Sequence, residues 1–301
     1  MPRGLRWMAA AALAFAVMTA LVKIAGRTLP TMEIVLARAV VTLILSWGAL
    51  RAGRRGLWGN ERRILVARGA LGFIALSCFY FAVIRLPLAE ATVIHYTNPV
   101  LTALAAALLI SESLRAVEVV LALTSLGGVA LVARPPFLFG GDVAGLDALG
   151  VAAAVTGAVF SALAYVAVRR ASRTNGTMVI VFYFALFSTV GAVPFAAPVW
   201  EWPTAWEWLL LLAVGVVTQL GQVAITKGLE LERAGRAMNV AYLQIVFAGI
   251  LGALVFGEIP DRWSVAGGLV IVGSTFLLTR TRGSPARPPA RSATGSPGDR
   301  R

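Results

Sequence analysis

Charge is scarce in this chain. Only 14% of its 301 residues are Asp, Glu, Lys or Arg, where a soluble domain carries about 25%. A surface wetted on all sides is therefore excluded. His95 is the only histidine and Cys78 the only cysteine. One cysteine allows no internal disulfide, and one histidine supplies neither an HExxH protease helix nor a metal cage. Asp142 and Asp147 lie in or beside one loop, with no partner aspartate in another apolar run. An intramembrane enzyme thus lacks its residues. No GxxxxGK[ST] motif occurs, which argues against ATP-driven transport. No cofactor and no metal are expected.

Apolar length is abundant. The chain is 58% hydrophobic, and ten mostly apolar runs centre near 8–25, 33–50, 64–84, 89–110, 117–133, 147–168, 177–196, 208–229, 235–256 and 263–280. A spanning helix needs about 20 such residues. Hydrocarbon offers the backbone no partners, so helices are the economical solution. The runs are too long and too evenly apolar for barrel strands. The predicted fold class is an all-α polytopic membrane protein with ten transmembrane helices. The basic start, Arg3 to Arg6 before Trp7–Leu21, resembles a signal peptide but is read as a retained first span.

The formal charge of +13 does not point to nucleic acid, because the arginines crowd particular loops. With the N-terminus inside, 19 arginines fall in inside segments and 4 (Arg27, Arg85, Arg134, Arg262) in outside loops. That bias places both termini in the cytoplasm. Residues 281–301, rich in Pro, Arg, Ser and Gly, are expected to form a disordered basic cytoplasmic tail that touches anionic lipid. Trp200, Trp202, Trp206 and Trp208 read as an interfacial belt.

Residues 85–134 and 231–280 match without a gap when shifted by 146 positions. Gly69 falls on Gly215, Tyr96 on Tyr242, Glu112 on Glu258, Gly127 on Gly273 and Arg134 on Arg280, with Lys23 on Arg169 upstream. The predicted organisation is a five-helix repeat over 1–134, a linker loop over 135–146 and a second repeat over 147–280. Five is odd, so the second repeat enters the membrane inverted. Inverted repeats in transporters exchange inward- and outward-open states about a site near the midplane.

The paired segments also carry a signature. Leu86-Pro87-Leu88-Ala89-Glu90-Ala91-Thr92 leads into Tyr96-Thr97-Asn98-Pro99, and Glu112 closes the run. The second half has Glu232-Arg233-Ala234-Gly235-Arg236-Ala237, then Tyr242-Leu243-Gln244, then Gly257-Glu258, while Glu33 to Arg38 opens the second helix. Over about residues 5–280 the chain resembles the EamA-type branch of the drug/metabolite transporter superfamily. The resemblance implies a ten-helix inner-membrane carrier of small polar metabolites such as amino acids, nucleoside-like compounds or organic ions. Gln244-Ile245 stands where the first half has Asn98-Pro99, so the two helices are not expected to break alike.

Polar side chains at depth should face a cavity or a partner. Arg38 suits a carboxylate clamp, or a structural pair with Glu33 or Glu90. His95 could bind substrate, relay a proton, or serve as a structural hydrogen-bonder. Pro99 removes an amide donor, so the carbonyls it frees face substrate or the break is a simple kink. Tyr96, Asn98, Gln219, Gln222, Asn239, Tyr242 and Gln244 supply neutral donors and acceptors, divided between the cavity and neighbouring helices. Tyr80, Tyr165 and Ser161 are weaker candidates. Arg68 and Lys227 are expected to snorkel. Glu112 and Glu258 oppose the dipoles of the helices they end, which suggests capping or a gate ion pair. Gly69, Gly72, Gly127, Gly128, Gly249, Gly252, Gly267 and Gly268 are expected to permit close helix contact.

The resulting expectation is a secondary carrier working by alternating access on a small-molecule substrate, as a monomer or homodimer. No carboxylate is expected at mid-membrane, which favours facilitated diffusion or exchange over proton coupling. The alternatives are a non-transporting scaffold or receptor of the same fold and, on weaker grounds, an intramembrane enzyme.

Overall fold

The computed structural model describes residues 1–54, 56–86, 88–139 and 147–281. Arg55, Pro87, Asp142 and the 282–301 tail lie outside the described residues, as do positions 140–146 of the linker.

Among the described residues the chain is built of helices. They are α1 (Arg3–Ala25), α2 (Thr31–Ala52), α3 (Arg62–Arg85), α4 (Leu88–His95), α5 (Asn98–Ile110), α6 (Ala116–Ala133), α7 (Pro136–Phe139), α8 (Ala148–Ala171), α9 (Thr177–Ala196), α10 (Ala205–Leu231), α11 (Ala234–Ala241), α12 (Leu243–Phe256) and α13 (Arg262–Arg280). The pairs α4–α5 and α11–α12 each make one span, giving ten helices long and apolar enough to cross a membrane. These are the ten apolar runs of the sequence. Three of their starts, those of α8, α10 and α13, are fixed by polar caps. Asp147 accepts from the Leu149 amide, Asp261 from the Ser264 amide, and Thr204 with Glu207 forms a capping box on α10. Large apolar side chains such as Leu108, Leu254 and Val190 point outward, as a lipid-facing bundle requires.

The packing repeats itself. α3 lies along α8 and α1 along α10; α8 packs on α5 and α1 on α12; α3 meets α9 and α10 meets α2. Each of these pairs turns into the other under the 146-residue shift. The correspondence reaches single contacts. A Cβ at Gly69 would meet Phe187 and one at Gly215 would meet Val41, and these four positions are two matched pairs. Gly128 and Gly267 likewise bring α6 against α13. Gly127, Gly249 and Gly268 face open space instead, so their expected packing role is absent.

Some contacts break the pattern, most clearly at α11. It packs against α5, whereas their counterparts, α4 and α12, make no comparable contact. The α5–α11 contact lies at the end of the bundle that bears the start of α1.

Candidate functional site

The broken helices form the frame. Pro99 has no amide to give to the carbonyl four residues back, at His95. Asn98 compensates, donating from Nδ2 to that oxygen at 2.8 Å. Thr97 donates its hydroxyl to the Ile94 carbonyl at 2.6 Å. The Tyr242 hydroxyl donates to the Tyr96 carbonyl at 3.0 Å. The freed carbonyls are thus taken within the protein, so the idea that they face substrate is not supported. Asn98 and Tyr242 serve the break itself. The span α11–α12 is interrupted at the equivalent place, but by the single residue Tyr242 in helical conformation where α4–α5 gives up Tyr96 and Thr97, so the two breaks coincide in position and differ in form. α11 ends at Ala241, the counterpart of His95, and resumes at Leu243 without any proline. Tyr242 sits in that break fully buried and reaches across to the other one. Its ring stacks on Tyr96 at 6.2 Å.

His95 closes α4 against the Phe79 ring, centroids 4.4 Å apart, with Nδ1 buried and unpartnered. Arg38 is half-buried on α2 and lines a small cavity with Thr42, Phe184, Ser188 and Thr218. Its one hydrogen bond among the described residues runs to the Met18 sulfur at 3.6 Å. The pair with Glu33 or Glu90 is not formed. Glu33 accepts from the Glu201 amide at 3.1 Å, and both Glu90 oxygens are buried without a partner.

The amides on α10 part company. The Gln219 carbonyl oxygen accepts from Ser46 at 3.2 Å. The Gln222 carbonyl oxygen accepts from Arg68 at 3.4 Å. Asn239 donates to the Glu118 backbone carbonyl at 2.9 Å and is fully buried, which makes it a link between α11 and α6. Gln244 is half-buried and forms no hydrogen bond to a described residue. Arg68 does not snorkel. It is 4% exposed, with its guanidinium 4.3 Å from the centre of the Phe184 ring. Tyr165 is half-buried on α8. Lys227 lies over Trp7 instead, 4.5 Å from the ring.

The acids that end α5 and α12 are built alike. Ser111 and Gly257 both adopt the left-handed conformation, φ 53 and 68. The amides of Glu112 and Glu258 then close onto Ala106 and Gly252 at 3.2 and 3.1 Å. Glu112 accepts from Arg169 Nε at 2.7 Å and from the Ala234 amide, the first of α11, at 2.8 Å. Glu258 pairs with Lys23. Lys23 and Arg169 correspond under the shift, so these are one ion pair made twice. Burial separates them. The Arg169–Glu112 side chains are 6% and 10% exposed, and those of Lys23–Glu258 49% and 56%. Arg169 also donates to the Leu229 and Glu230 carbonyls. Beside it, Arg233 pairs with Glu118 and Arg236 with Glu232, all buried. Sequence reading placed Arg233 and Arg236 among loop charges. The four-residue step from Glu232 to Arg236 was a local signal for their pair, whereas nothing in the sequence brought Glu118, 115 residues away, to Arg233.

At the opposite end, Arg85 pairs with Asp147 at 2.8 Å, and Arg134 with Asp261 at 2.8 Å. The Arg85 hydrogen bond holds the Asp147 carboxyl below the usual range, and the Ser264 amide does the same for Asp261.

Comparison with known proteins agrees with this architecture. A model of the EamA-like transporter family matches residues 2–134 and again 148–280. The pseudopaline exporter CntI of Pseudomonas aeruginosa is 36% identical over 280 residues, 90% of this chain and 94% of that protein. Solute carrier family 35 member G1 of Homo sapiens is 30% identical, with 80% of this chain and 69% of that protein covered. An S-adenosylmethionine uptake transporter of Rickettsia bellii is 24% identical, with 75% of each covered. A solved crystal structure 20% identical superposes with a TM-score of 0.79 over 93% of this chain and 97% of that one, a likeness of fold. The chain is a multi-pass membrane protein and belongs to the EamA-like transporter family.

Proposed function

We propose that the protein is a secondary carrier whose two halves, 1–134 and 147–280, are inverted repeats that work by alternating access. The observation that carries this reading is the doubled ion pair. Lys23–Glu258 and Arg169–Glu112 are counterparts, yet one is wet and the other dry. Two equivalent gates in unequal states are what a two-state exchange between repeats requires. The arginine bias puts the dry gate on the cytoplasmic side, with both termini. The molecule then stands closed to the cytoplasm, with α5 and α11 packed together there.

The substrate is a small polar metabolite, such as an amino acid, a nucleoside-like compound or an organic anion, carried across the inner membrane. Related proteins named for pseudopaline export and S-adenosylmethionine uptake support a small-molecule cargo of this kind. Arg38, without a carboxylate of its own, is suited to hold an acidic group of that cargo. Among the described residues the carboxylates within spans, such as Glu33, Glu90 and Glu118, sit near helix ends. That favours exchange or facilitated diffusion over proton coupling.

The test uses a Cys78→Ala background with a cysteine at Thr226, a position buried on α10. An impermeant maleimide from the cytoplasmic side should leave it unmodified until Glu112→Gln loosens the dry gate. Glu258→Gln should leave it unmodified. Equal labelling in both variants would remove the gate assignment. A purified protein that moves no solute in proteoliposomes while binding a partner tightly would favour a scaffold.

A further inference from the structure

Four arginines are buried among the described residues: Arg68, Arg169, Arg233 and Arg236. Three of them hold a carboxylate. Arg68 holds none. Its contacts are a ring, Phe184, and a neutral amide, Gln222. Its Nε is buried without a partner, as are those of Arg233 and Arg236, but those two have carboxylates on their other nitrogens. A charge in hydrocarbon that is neither paired nor fully hydrogen-bonded is costly and is retained for a function.

The space around it is made for a guanidinium. Gly72 stands one turn along α3, and a Cβ there would run into both the Arg68 guanidinium and the Phe184 ring. Phe184 also lines the small cavity beside Arg38. It occupies the position that corresponds to Arg38 in the second half. One ring therefore contacts Arg68 and borders the cavity of Arg38. The two arginines enter from opposite ends of the bundle, each about 10 Å in at 1.5 Å per residue.

We propose that Arg68, backed by Phe184 and Gln222, is the inner anion station of the carrier, taking the carboxylate that Arg38 receives at the outer one. The transported solutes are then small carboxylates or zwitterions. A single guanidinium among neutral groups matches one negative charge. A doubly charged phosphate would need a second cation that this station lacks. The proposal rests on the carrier reading and adds its substrate class.

The experiment uses the full chain in proteoliposomes and a uniformly 13C-labelled mixture of amino acids, organic acids, amino-acid amides and nucleosides, read by mass spectrometry. Wild type should admit carboxylates. Arg68→Gln should lower their entry by about ten- to a hundredfold, the worth of a charge-assisted hydrogen bond. It should also erase the preference for an amino acid over its amide. Arg68→Lys keeps the charge without the fork and should retain part of the preference. Gly72→Ala leaves the charge in place but crowds it, and should act in the direction of Arg68→Gln. If Arg68→Gln fails to fold, these two variants carry the test through the acid-to-amide ratio. Carboxylate entry at the wild-type rate in Arg68→Gln, or wild-type entry confined to solutes without an acid, overturns the inner station and leaves the carrier reading standing. No protein-dependent entry of any solute overturns the carrier reading and this proposal with it.

Discussion

A guanidinium inside hydrocarbon needs an anion, a ring or water, and the arginines of this chain divide by which of these they have. Arg169, Arg233 and Arg236 have carboxylates, so they belong to the architecture. Arg38 has a sulfur and a cavity. In a thermal-shift screen of amino acids, nucleosides and organic acids, Arg38→Ala should weaken a carboxylate stabiliser by about ten- to a hundredfold in apparent affinity. A stabiliser that acts on the variant as on wild type would count against the clamp. Asp147 makes a different prediction. Its folded-state value lies below the ordinary 3.8, so its stabilisation is fully present above that pH and is lost as pH falls through the folded value. The gap in melting temperature between wild type and Asp147→Asn should therefore hold at neutral pH and close in acid. A gap unchanged down to strongly acid pH would refute the linkage.

At the scale of elements, the ten spans could be read from apolar length because lipid demands it of each helix separately. The break between α4 and α5 could be read from Pro99, since a missing donor is a local property. The interruption between α11 and α12 could not. There Tyr242 crosses to the Tyr96 carbonyl between α4 and α5, and no local rule encodes that contact. Tyr242→Phe should remove one buried hydrogen bond, worth about 1 kcal/mol, and lower the melting temperature of the solubilised protein by a few degrees. Tyr96→Phe removes a hydroxyl that plays no part in that bond and should cost less. The reverse order would show that the cross-break contact is not what holds the two helices.

For the whole molecule, equivalence in sequence does not mean equivalence in energy. Arg169→Ala strips a buried carboxylate of its partner, an effect of about 3–5 kcal/mol. Lys23→Ala opens an exposed pair worth about 1 kcal/mol or less. Thermal denaturation in detergent should show a large drop for the first and a small one for the second. Similar drops would mean that both gates are equally closed. The site is only partly legible for the same reason. Arg38 and Gln222 stand out as polar groups in apolar runs, whereas Arg68 looks like a helix-end residue until Phe184 and Gly72 are seen around it.

The sequence by itself determined the membrane class, the ten spans and the 146-residue echo, because hydropathy and repetition are properties of the chain taken in order. Only the tertiary structure decided which of two matching ion pairs is dry, which freed carbonyls are already taken, and which buried arginine has no carboxylate. Those outcomes depend on what a second helix brings to within hydrogen-bonding distance, and residues far apart in the chain, such as Arg169 and Glu112, become neighbours only on folding.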